Sequence, residues 1–85
     1  MDPAQALKQQ AADQVLAYIQ SGTIIGLGAG STAILAVRGL AAKLAAGELT
    51  GIRGIPCSSV IEAEARRLGI PLTTLEDHPV VDLTF

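Results

Sequence analysis

Apolar positions recur along this chain with two different periods. Leu7, Ala11, Val15, Leu16 and Ile19 fall at helical spacing on one face, which predicts an amphipathic first helix. Asp2 can cap it, and Pro3 suits the first helical position, where the N–H it lacks would be unpaired anyway. Ser21-Gly22 ends it. Thr23 to Leu27 is short and β-branched and reads as a buried strand. After the turn Gly28-Ala29-Gly30, Ser31 or Thr32 opens a second helix with Ala33, Val37, Leu40, Ala41 and Leu44 on its inner face. A loop from Gly47 to Gly51 leads into a second strand, Ile52 to Ile55. Ser58 is a good N-cap for a third helix ending at Leu68, with Gly69 as its left-handed stop. Pro71 to Leu75 is a third short strand or extended piece. Glu76 to Pro79 is a polar loop, and Val80 to Phe85 is again strand-like.

The order is helix, strand-helix, strand-helix, strand, strand. Such alternation argues for a mostly parallel sheet. The expected fold is α/β: a three-layer, Rossmann-like half-domain with helices on both faces.

Composition adds a tension. The chain has 85 residues, 49% apolar and 16% charged, with a net charge of −2. One small domain fits that length, and it buries only roughly 60–65% of its unfolded surface. A soluble domain usually carries about 25% charged residues, so apolar faces are left for a partner subunit or for further chain. Every apolar run is broken well short of a membrane span. The six basic residues are scattered and the aromatics are Tyr18 and Phe85 alone, which argues against nucleic-acid binding. The single cysteine, Cys57, excludes an internal disulfide and fits a reducing, cytoplasmic setting.

The most informative stretch is Gly26-Leu27-Gly28-Ala29-Gly30-Ser31-Thr32, between a strand and a helix. Glycines let the backbone turn tightly and let an anion approach. The helix N-terminus adds unpaired donors and partial positive charge, and Ser31 and Thr32 add hydroxyls. A dinucleotide fingerprint would want glycine at Ser31 and an acid after the second strand, where Pro56-Cys57-Ser58 stands. A triphosphate loop would want lysine at Gly30. A monophosphate fits better, and a tight turn with no ligand remains the alternative. Lys8 could reach the turn or simply be solvated. Ser58 and Ser59 lie at the same sheet edge and could meet a ligand or merely cap a helix. Cys57 reads as a small buried filler, His78 as a loop residue, and Arg66-Arg67 as complements to the helix dipole. No carboxylate is well placed for acid–base chemistry: Glu62 and Glu64 are on a helix, Glu76 and Asp77 in a loop, and Asp82 at the wrong end of its strand.

Lys8 with Ala11-Ala12, Gly22 to Ala33, Ile55-Pro56-Cys57-Ser58-Ser59, Leu68-Gly69-Ile70-Pro71-Leu72 and Asp82-Leu83-Thr84 together resemble the start of ribose-5-phosphate isomerase type A. The resemblance runs along nearly the whole chain. It implies interconversion of ribose 5-phosphate and ribulose 5-phosphate in the pentose phosphate pathway, through an enediolate and without metal or cofactor. It implies phosphate and substrate binding by Lys8, Gly28, Gly30, Ser31 and Thr32, with Ser58 and Ser59 near the sugar. It also implies a dimer or tetramer. The family commonly has Thr where Ala29 stands here, so one hydroxyl contact is lost. In the family the strand matching Asp82 to Phe85 runs into an Asp-Gly-Ala-Asp-Glu motif that carries proton transfer, and this sequence stops one residue before it. The expectation is therefore a truncated N-terminal portion, residues 1–85, of an isomerase domain, with no catalytic residue of its own and inactive alone. A non-catalytic phosphate-binding fragment, or a sugar-phosphate sensor domain lacking its DNA-binding segment, is the alternative.

Overall fold

The computed structural model describes residues 3–85. Asp2, the expected cap of the first helix, lies outside them. The elements run α1 (Pro3–Ala17), β1 (Ile24–Leu27), α2 (Ser31–Ala45), β2 (Arg53–Pro56), α3 (Ser59–Arg67) and β3 (Leu83–Thr84). The sheet is parallel in the order β2-β1-β3. Ile24 lies beside Arg53 and Leu27 beside Pro56 on one side, and Ile25 beside Leu83 on the other. This is the expected α/β class.

Side chains alternate across a strand, so the register sorts the sheet into two faces. Ile25, Leu27, Gly54 and Leu83 share one of them. Ile25 and Leu27 are fully buried there against Val37 and Leu40 of α2 and Ile61 of α3. Each such side chain contributes about 1.5–3 kcal/mol by leaving water. The opposite face carries Ile24, Gly26, Ile55 and Thr84, and both isoleucines are only partly buried.

α1 joins the core through Ala12 and Leu16, with Ile19 just beyond its end. Leu7 and Ala11, expected on the inner face, are exposed. The seam shifts because Leu16 lies over Gly39 of α2, filling the space a Cβ there would need. The loops that follow the two helices are then tied together: the Gly22 N–H donates to the Thr50 carbonyl at 2.9 Å, and the Thr50 N–H donates to Ser21 Oγ at 3.0 Å.

Two expected strands are shorter than the pattern suggested. Pro71 to Leu75 makes a single bridge, between Leu72 and Gly54, with hydrogen bonds on either side of Gly54. Val80 to Phe85 contributes only Leu83 and Thr84, because the polar loop before them turns until Asp82 meets Ile24.

Candidate functional site at the carboxyl edge of the sheet

The strand order is the first clue. The chain passes from β1 to β2 and on to the bridge at Leu72, then returns to place β3 on the other side of β1. That reversal makes a topological switch between β1 and β3. In open α/β sheets, ligands sit in the crevice beyond the strands' carboxyl ends at such a point. The glycine turn leaves β1 there, and Phe85 leaves β3 beside it.

The glycines of the turn have different reasons to be glycine. Gly30 has φ +98° with open space where a Cβ would lie, so its backbone conformation is the requirement. At Gly28 the requirement is room, since a Cβ would fall on the Phe85 carbonyl. Likewise a Cβ on Gly26 would come within 2.6 Å of Thr84 Oγ1. Close approach of β3 explains two glycines that the sequence pattern attributes to an anion.

α2 starts without a side-chain cap: its N-cap is Gly30, whose carbonyl accepts from the Ile34 N–H at 3.0 Å. The N–H groups of Ser31, Thr32 and Ala33 therefore have no intrahelical partner. Ser31 is exposed and Thr32 half-buried, and neither hydroxyl has a partner among the described residues. Ala29 is exposed and contributes no donor beyond its own N–H.

Lys8 is half-buried on α1. The loops leaving α1 and α2 are hydrogen-bonded to each other and Leu16 packs on Gly39, so the two helices run in the same direction. Eight residues back along each helix, roughly 12 Å, brings Lys8 level with Ser31. Arg38, Lys43, Arg66 and Arg67 all pair with glutamates. Among the described residues Lys8 and Arg53 are the cations without an acidic partner.

The β2 end is arranged otherwise. The Cys57 N–H donates to the Leu27 carbonyl at 3.1 Å, which holds this turn beside the glycine turn. Ser58 caps α3, its Oγ accepting from the Ile61 N–H at 3.2 Å. Its hydroxyl hydrogen is left to donate. Ser59 is the exposed first residue of α3. Cys57 is exposed rather than buried, because the chain turns out of the sheet at that residue. Ser58 and Cys57 also border an open groove of about 840 Å³ with Arg53, Thr73 and His78. There the His78 ring Nδ1 lies 2.7 Å from Thr73 Oγ1.

Glu62, Glu64 and Asp82 are engaged by neighbours, while Glu76 and Asp77 border the open groove. Glu64 accepts from Arg38 and Arg67, and these two guanidinium groups, Arg67 foremost, hold its carboxyl down at about 2. Glu62 pairs with Arg66 at 3.0 Å. Asp82 accepts from the Ile24 N–H at 2.8 Å, at the opposite edge of the sheet. No group of three or more His, Cys, Asp or Glu among the described residues could hold a metal ion.

No family model matches the chain. It is 46% identical over 84 residues to ribose-5-phosphate isomerase A of Desulfatibacillum aliphaticivorans, covering 99% of this chain and 36% of that protein. The protein of the same name from Roseiflexus castenholzii is 53% identical over 76 residues, 89% of this chain and 32% of its own length. Solved structures agree. A D-ribose-5-phosphate isomerase in complex with phospho-erythronic acid superposes with a TM-score of 0.92 at 32% identity, over 94% of this chain and 35% of that one. The Plasmodium falciparum ribose 5-phosphate isomerase gives 0.88 at 44% identity, over 93% and 34%. The chain is similar, along nearly all its length, to ribose-5-phosphate isomerase A. It spans about a third of the length of those isomerases, and the Rossmann-like fold is theirs. No helix among the described residues is long and apolar enough to cross a membrane.

The sequence pattern singled out the glycine turn, both serine positions and Lys8. It missed the Phe85 carbonyl as a wall of the turn and the strand reversal that makes the crevice. The spacing Gly26-x-Gly28 at the end of a buried strand was the available signal for a close neighbour.

Proposed function

We propose that this chain is the phosphate-binding, N-terminal Rossmann-like portion of an aldose–ketose isomerase that interconverts ribose 5-phosphate and ribulose 5-phosphate. The observation that carries the reading is the uncapped start of α2 at the switch point. There the unpartnered N–H groups of Ser31, Thr32 and Ala33 meet two hydroxyls, and counting back along α1 and α2 at the helical rise sets Lys8 about level with them. An oxyanion there gains charge-assisted hydrogen bonds and the partial positive end of the helix. Gly30, with φ +98° and open space beside it, lets the backbone turn toward the anion, and Gly28 lets β3 close the wall of the turn. Ser58 and Ser59, one strand over, are positioned for sugar hydroxyls, with Ser58 donating while its oxygen caps α3.

Moving a proton between C1 and C2 of the sugar needs a general base and acid at the reacting carbons, worth roughly 10²- to 10⁴-fold each. Glu62, Glu64 and Asp82 are engaged with arginines or with Ile24, and Glu76 and Asp77 lie exposed in the loop after Leu75 rather than at the glycine turn. The 85 residues therefore bind substrate without turning it over. The exposed side chains of Leu7, Tyr18, Val60, Leu75 and Val80 support self-association, which light scattering would read as a mass above 8.7 kDa.

Calorimetry with phospho-erythronic acid and with unphosphorylated erythronic acid tests the assignment. The reading predicts saturable binding of the first and none of the second. Equal binding of both, or formation of ribulose 5-phosphate by the purified chain, contradicts it.

A further inference from the structure

β3 is two residues long, yet its end forms one wall of the glycine turn. What holds so short a strand in place is at its other end. The Asp82 N–H donates to the Ile24 carbonyl at 2.9 Å, and the Asp82 carboxylate accepts from the Ile24 N–H at 2.8 Å. The side chain closes a two-point clamp on one residue of β1. Further along, the Phe85 N–H donates to the Gly26 carbonyl at 3.1 Å. The Phe85 carbonyl then rests where a side chain on Gly28 would be. Strand pairing is specified by register, and a short edge strand with one side open slips or frays unless something pins it.

We propose that Asp82 is a positioning residue for the anion site: its clamp on Ile24 fixes the register of β3, and through the Phe85–Gly28 contact fixes the backbone donors of the turn. This rests on the phosphate reading of that turn. Asp82 cannot act by touching the anion, because three residues of strand, roughly 10 Å, separate it from Phe85. Its charge cannot explain the effect either. A carboxylate repels phosphate, so electrostatics alone would have its removal tighten binding, whereas loss of the clamp weakens it. The two causes have opposite signs.

The test uses the 85-residue protein, inorganic phosphate as probe, and amide shifts and hydrogen exchange as readouts. Asp82→Ala removes charge and acceptor. It is expected to bind phosphate about three- to tenfold more weakly, the span of one net hydrogen bond, with faster exchange at the Phe85 amide. Asp82→Asn removes the charge but keeps an acceptor oxygen, so affinity and Phe85 protection are both retained. Phosphate binding by Asp82→Ala as tight as wild type overturns the proposal. If that variant does not fold, Asp82→Asn decides: loss of affinity or of Phe85 protection counts against the clamp, and retention of both supports it. If the wild-type turn takes no phosphate, the phosphate reading fails instead. Phe85 and Gly28 exchange in Asp82→Ala then judges the clamp alone, acceleration upholding it and no change overturning it.

Discussion

Two strand-to-helix corners sit side by side at the carboxyl edge of this sheet, and they are finished in opposite ways. Where β2 enters α3, Ser58 turns its own oxygen onto the Ile61 N–H, and Glu62 in the first turn complements the dipole. That corner is satisfied from within. Where β1 enters α2, the cap is a glycine with no side chain to offer, and the first turn of the helix holds no acid. Its donors stay open. A helix start closed by a serine stabilises the fold, while one left open by a glycine is available to a ligand. The same topology thus serves packing at one corner and, in the proposed reading, phosphate at the other.

The contrast breaks most severely at Gly28. Gly28→Ala drives a methyl into the Phe85 carbonyl, and backbone cannot swing aside as a side chain would. A stability loss of about 2–3 kcal/mol is expected, read as a lower urea midpoint, together with loss of phosphate binding. Gly30→Ala has room for its methyl but not the φ of +98°. It should cost about 1–2 kcal/mol and weaken phosphate with it. Lys8→Ala acts on the ligand alone: phosphate affinity falls about tenfold, near 1.4 kcal/mol, with the urea midpoint nearly unchanged. Ser58→Ala does the reverse. It removes the cap for about 1 kcal/mol of stability and leaves phosphate shifts at the glycine turn as they were. If Lys8→Ala and Ser58→Ala behaved alike, the two corners would not differ as described.

The smallest effect concerns how the closed corner is anchored to α2. Glu64 accepts from Arg38 of α2 and Arg67 of α3, which lowers its pKa from 4.5 to about 2. A carboxyl depressed in the folded state stabilises at pH above its unfolded value. That contribution fades as pH falls from about 4.5 and is gone below about 2. Urea midpoints followed down through this window should drop in the wild type. In Glu64→Gln this site's share of the drop should vanish, with a lower midpoint at neutral pH. Because both arginines are exposed and Glu64 is only half-buried, the difference is modest.

Much of this was legible in the sequence. Helical spacing, the glycine turn and the Ser58 cap follow from local rules that neighbours seldom override, and α2, α3 and β1 lie close to where those rules put them. The inner face of α1 was misjudged because its seam is set by a glycine of another helix, Gly39, which no periodicity within α1 can report. β2 and β3 moved or shortened because strand limits depend on what lies alongside. Arg53 and Pro56 count as strand by virtue of Ile24 and Leu27. At the site, the residue types were readable but their reasons were not. Gly28 looks like an anion-approach glycine in one dimension and proves to be a packing glycine in three. The reversal of strand order, which makes the crevice, is a property of pairing alone.

The central claim is that the open corner, and not the closed one, holds the phosphate of a sugar phosphate. Titrating ribose 5-phosphate into the isotope-labelled protein while following backbone amides tests it most directly. The account predicts saturable shifts centred on Gly28, Ala29, Gly30, Ser31, Thr32 and Ala33, reproduced by inorganic phosphate. Saturable shifts confined to the groove beside Arg53, Thr73 and His78, with the glycine turn silent, would contradict it.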